Sequence, residues 1–138
     1  SDNMKPFFTL LLSSVLALSA CGASPAADKS DKKSAEIVEY KGNSEITPNE
    51  KLPTIIDFNA DWCGPCQRFK PVFHNAAENN KDKALFVSVN VDKNPKTAEK
   101  FGVRGIPQIT ILYPDGTVKT QVGAMDDTEF KALLREWL

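Results

Sequence analysis

Apolar residues recur along this chain with two periods, and their order predicts alternating strands and helices. Thr54 to Asn59, centred on the apolar run Ile55 to Phe58, reads as a strand. Beyond it Phe69, Val72, Phe73, Ala76 and Ala77 fall at i, i+3, i+4, i+7 and i+8, the spacing of one helix face, and predict a helix reaching Asn80. Pro71 lies inside that stripe, which runs on past it, so a kink is expected and not a stop. Leu85 to Val91 reads as a buried strand. Asn94-Pro95 gives an N-cap with proline at the first helical position, and Phe101-Gly102 a helix end with its terminal glycine, so a short helix lies between them. Pro107 to Tyr113 and Thr117 to Val122 flank the turn sequence Pro114-Asp115-Gly116 and should pair as an antiparallel hairpin. Asp126 and Glu129 occupy capping-box positions before a last helix, whose Phe130, Leu133, Leu134, Trp137 and Leu138 repeat the helical spacing. Glu36 to Tyr40 alternates weakly, as an edge strand would.

The resulting order, β-α-β-α-β-β-α, is that of an α/β domain. Strands joined by a helix should run parallel and the terminal hairpin antiparallel, which implies a mixed sheet with helices on both faces. A chain of 138 residues, 41% hydrophobic and 25% charged, can bury one core of ordinary size. Its 17 basic and 18 acidic residues leave no basic excess to neutralise phosphates, which argues against a nucleic-acid partner.

The first 34 residues follow another pattern. Ser1-Asp2-Asn3 precedes the first methionine and reads as an expression-tag remnant. From Met4 to Ala20, Lys5 and the hydrophobic run Phe7 to Leu18 have the make-up of a secretory signal peptide; a run of twelve residues is too short to span a bilayer. The run ends in Leu18-Ser19-Ala20-Cys21, which resembles the lipobox of bacterial lipoproteins and implies lipid on Cys21. Gly22 to Ser34 holds no large apolar residue and reads as a flexible tether, with a root-mean-square span on the order of 20 Å. The expected domains are therefore residues 1–3, 4–20, 21–34 and 35–138.

Chemistry concentrates in Trp62-Cys63-Gly64-Pro65-Cys66, between the first strand and the first helix. Two cysteines three residues apart at a helix start lie within reach of one disulfide, and the unpaired N–H groups there favour a thiolate. Cys66 is in line with the apolar stripe and should be the more buried sulfur, while Cys63 meets solvent; Cys63 then attacks and Cys66 resolves. A structural bridge and half a zinc site are the alternatives. Zinc needs about four ligands, and the rest of the chain offers only Cys21 and His74. A bridge closing so short a loop removes little entropy from the unfolded chain. No metal and no separate cofactor is expected.

Residues 35–138 resemble thioredoxin. The resemblance is carried, in collinear order, by Asp57-Phe58, Trp62 to Cys66, Pro71, Asn90-Val91-Asp92, Asn94-Pro95, Phe101 to Pro107 and Val122-Gly123-Ala124. It implies the thioredoxin fold and thiol-disulfide exchange, with Cys63 as nucleophile and Cys66 as resolving thiol. The Gly64-Pro65 spacer is that of thioredoxin itself and implies a reductant more than an oxidant. Asp57 lies in a strand expected to be buried on both faces, where a charge costs several kcal/mol unless paired or protonated. The resemblance gives it a part in deprotonating Cys66; a carboxyl satisfied by its neighbours is the bland alternative. For Pro107 the resemblance implies a cis bond beside the cysteines, with Ile106 offering backbone hydrogen bonds to an extended substrate and Trp62, Gly64 and Pro65 completing the substrate surface.

The chain departs from the family pattern at Asn59, where tryptophan is usual, at Ser88 and Gln67, where lysine is usual, and at Gln108, where threonine is usual. Loss of the lysine at Ser88 removes a charge partner of Asp57. Together these readings predict a monomeric, lipid-anchored reductase of disulfides in exported proteins, on the extracytoplasmic side of a bacterial membrane and fed by a membrane thiol electron donor. A disulfide oxidase or isomerase, or a non-enzymatic binding module, stand as alternatives.

Overall fold

Strand β2 (Thr54–Asn59) is the axis of the molecule, with all six residues buried. Its alternate side chains feed two cores. The computed structural model describes residues 37–40 and 45–138; the expected tag remnant, signal peptide, Cys21 and tether lie outside them. Strand β1 is Val38–Glu39, helix α1 is Gly64–Asn79, β3 is Leu85–Asn90, α2 is Pro95–Lys100, β4 is Gln108–Leu112, β5 is Val118–Val122 and α3 is Asp127–Trp137. The five strands form one sheet in the order β1-β3-β2-β4-β5. β2 and β3 are parallel, and β4 is antiparallel to both β2 and β5.

On one face Ile55, Phe86, Ile109 and Ile111 meet Phe69, Phe73 and Ala77 of α1 and Phe130, Leu134 and Trp137 of α3. The rings of Phe69 and Phe130 pack edge-on at 5.1 Å between centroids, and those of Phe73 and Phe86 at 5.5 Å. Each such side chain contributes about 1.5–3 kcal/mol by leaving water. On the other face Ile56, Phe58 and Val89 pack with Phe101, Val103 and Ile106, at the end of α2 and in the segment after it. Because side chains alternate along a strand, Asp57 shares the Ile55 face, beneath α1.

The expected hairpin, capping box, short α2 and weak edge strand are present. α1 runs through Pro71 and ends one residue early, with Asn80 as its cap. β3 differs from expectation: only Phe86 and Val89 are buried, and Leu85 is 39% exposed. Among the described residues, β1 pairs only with Val87 and Ser88 of β3, and Leu85 lies beyond that pairing.

Candidate active site

α1 begins where β2 has ended, and the turn between them is built by backbone and side chain together. The Cys63 N–H donates to Ala60 O at 3.2 Å, and the Gln67 N–H donates to Cys63 O at 3.1 Å. The Gln67 side chain adds a bond from Nε2 to Ala60 O at 3.2 Å, tying the first turn of α1 back to the loop before it. Cys63 is the N-cap, extended at φ −86° and ψ 107°, with Pro65 in the first turn. Proline costs nothing there, since its missing N–H would have no helical partner.

Cys63 and Cys66 are joined in a disulfide with their Cα atoms 5.2 Å apart. The Cys66 N–H donates to Cys63 Sγ at 3.2 Å. On reduction that N–H and the positive end of α1 both face the sulfur that must carry charge. The expected asymmetry of exposure is present but small. Cys66 is fully buried, whereas Cys63 keeps 4% of its surface and does not stand out in solvent as expected. The cause is the chain opposite: Ala60, Val91 and Ile106 close around both sulfurs, and Cys63 Sγ lies 3.9 Å from Ile106 O.

The Ile106–Pro107 bond is cis. Pro107 is buried one residue before β4 begins, as its missing N–H requires, and its carbonyl still accepts from Gly123 N–H at 2.8 Å. Gly64 and Pro65 are exposed, Ile106 is half-buried, and Trp62 is 71% exposed. The Trp62 indole is held in place from Nε1 to Asp92 Oδ2 at 2.8 Å. Ile106 therefore closes on the disulfide, and Trp62, Gly64 and Pro65 lie exposed next to the cysteines in the chain, while Pro107, the residue after Ile106, is buried.

Asp57 is 1% exposed, and its Oδ1 is buried without a hydrogen-bond partner. Burial pushes its carboxyl up to about 7, and the charge of Lys70 on α1 pulls the other way. It is thus a carboxyl that exchanges its proton near neutrality, under the helix that carries Cys66. Lys70, four residues beyond Cys66, is the cation that sequence reasoning missed; that helical spacing was the available signal. Asp92 as the anchor of Trp62 had no local signal, because the two are 30 residues apart. His74 is exposed. Among the described residues no group of three or more His, Cys, Asp or Glu is placed to hold a metal ion.

Comparisons with known proteins agree with this arrangement. The thioredoxin family profile matches residues 34–136. The thioredoxin of Rickettsia typhi is 39% identical over 103 residues, which are 74% of this chain and 92% of that protein. The thioredoxin of Pseudomonas aeruginosa is 40% identical over 83 residues, 59% of this chain and 76% of its own length. Among solved structures, a thioredoxin mutant from Halobacterium salinarum superimposes with a TM-score of 0.65 at 32% identity, covering 75% of this chain and 91% of that one.

Proposed function

This chain belongs to the thioredoxin family and is a thiol-disulfide oxidoreductase, and from that premise we propose that it is a reductase of disulfides in exported proteins, held by lipid on Cys21 at the extracytoplasmic face of a bacterial membrane. The observation that carries the chemistry is the Cys63–Cys66 disulfide at the start of α1, packed against Ile106 of the cis Ile106–Pro107 bond. Thioredoxins use such a disulfide as their own redox group, so the cycle needs no cofactor.

In the reduced state Cys63 is the attacking thiolate, stabilised by the Cys66 N–H and the helix start. It displaces one sulfur of the substrate disulfide, which leaves as a thiolate, and forms a mixed disulfide. Cys66 then gives its proton to Asp57 and attacks Cys63 Sγ. The second substrate thiol is released, two electrons have passed to the substrate, and the Cys63–Cys66 disulfide is restored. Ile106 and Pro107 bind the extended substrate chain by strand addition, and Trp62, Gly64 and Pro65 pack against it.

The run Phe7 to Leu18 followed by Leu18-Ser19-Ala20-Cys21 supports export and lipidation. Outside the cytoplasm the electrons must come from a dithiol protein in the membrane. The test is trapping in cell envelopes: Cys66→Ser should accumulate mixed disulfides through Cys63 with exported proteins, and Cys21→Ala should release the protein from the membrane. An absence of mixed disulfides would exclude the reductase reading, and a Cys21→Ala protein that stays bound would exclude the anchor.

A further inference from the structure

Two of the positions at which this chain departs from the family pattern are bonded to each other. Asn59 Nδ2 donates to Ser88 Oγ at 2.9 Å and to Asp57 O at 3.0 Å. Asn59 is 4% exposed and closes β2, while Ser88 is half-buried in β3. In the parallel pairing of β2 with β3, Ser88 is the residue directly opposite Asp57, and Asn90 is opposite Asn59. Asp57 and Ser88 therefore stand side by side on the sheet face covered by α1.

The bond from Asn59 holds the Ser88 oxygen in place beside Asp57. A serine oxygen that accepts from Asn59 still has one proton to donate. The neighbour with an unmet need is Asp57, whose buried Oδ1 has no partner. Opposite Asp57, β4 brings Ile109 and β3 brings Ser88, and the charge of Lys70 on α1 acts on it.

We infer that Ser88, held by Asn59, is a positioning residue for Asp57: it directs a neutral hydrogen-bond donor, through one water, at the carboxyl that exchanges a proton with Cys66. The inference rests on the proposed role of Asp57. A donor stabilises the ionised carboxyl, so Ser88 holds the proton affinity of Asp57 below what burial alone would set. It does so without the charge that a lysine would bring. The buried carboxyl can then release its proton near neutral pH, which the resolving step needs in each cycle.

The test is titration of the Asp57 side-chain carbon by NMR in the oxidised full-length protein, which reads the group itself and does not depend on reductase activity. Ser88→Ala should raise the midpoint by about one pH unit, a tenfold change in proton affinity, while Ser88→Thr, which keeps the hydroxyl, should restore it. The pH profile of disulfide reduction should move upward with the titration in Ser88→Ala. An unmoved midpoint in Ser88→Ala, or an equal shift in Ser88→Thr, would overturn the inference. If instead the midpoint moves but the pH profile does not, Ser88 positions Asp57 as inferred, and it is the role of Asp57 in catalysis that fails.

Discussion

Replacing Asp57 by asparagine should stabilise the oxidised protein, and the gain should grow with pH. The carboxyl goes from an ordinary 3.8 to about 7 on folding because burial disfavours its charge. A group whose proton affinity rises on folding contributes stability that is complete below its unfolded value and is lost as pH rises through its folded one. Here the loss begins near pH 4 and is complete above pH 7. A shift of about 3 units corresponds to about 4 kcal/mol, at about 1.4 kcal/mol per unit. Between pH 5 and pH 8.5 about 2–3 kcal/mol of it should appear. Asparagine has the shape of the protonated acid and does not titrate, so all other groups cancel in the difference between the two proteins. Urea unfolding of the oxidised proteins, followed by circular dichroism at several pH values, measures that difference directly. A difference that stays flat with pH would refute the reasoning, and so would a mutant less stable than its parent at pH 8.5. Either would mean that Asp57 is already ionised at ordinary cost in the folded protein.

Other consequences follow from single residues. Cys63→Ser should abolish disulfide reduction and form no mixed disulfide, whereas Cys66→Ser should lose turnover but keep the first attack; gel analysis without reductant distinguishes them. Phe73→Ala removes a ring that packs against Phe69, Phe86 and Phe130, and should cost about 3–5 kcal/mol in denaturant unfolding. Asp126→Ala breaks a capping box in which Glu129 N–H donates to Asp126 Oδ1 at 2.8 Å and Asp126 N–H to Glu129 Oε2 at 3.0 Å. It should cost about 1 kcal/mol with no change in disulfide chemistry.

The parts of the fold that showed in the sequence are those set by local pattern. Helix α1 follows from its apolar stripe, α3 from its stripe and capping box, and the hairpin from Pro114-Asp115-Gly116, where Gly116 adopts φ 90°. Cys63, Cys66 and Pro107 were legible because their chemistry depends on spacing and on a missing N–H. What sequence could not show is how distant segments meet. The burial of Cys63 depends on Ile106, 43 residues away, and the anchoring of Trp62 on Asp92. Asn59 and Ser88 looked like two independent departures from the family pattern. Only the pairing of β2 with β3 makes them partners. The uneven burial of β3 has the same origin, since Phe86 is covered by Phe73 of α1 and Val89 by the cluster of Ile56 and Phe58.

The most direct test of the account is the reduction potential of the Cys63/Cys66 pair, measured by equilibration against a dithiol buffer. A reductase of the thioredoxin type should give a value of about −270 mV. A value near that of disulfide-forming oxidases, about −120 mV, would keep the fold and the exchange chemistry but reverse the direction of electron flow proposed for this protein.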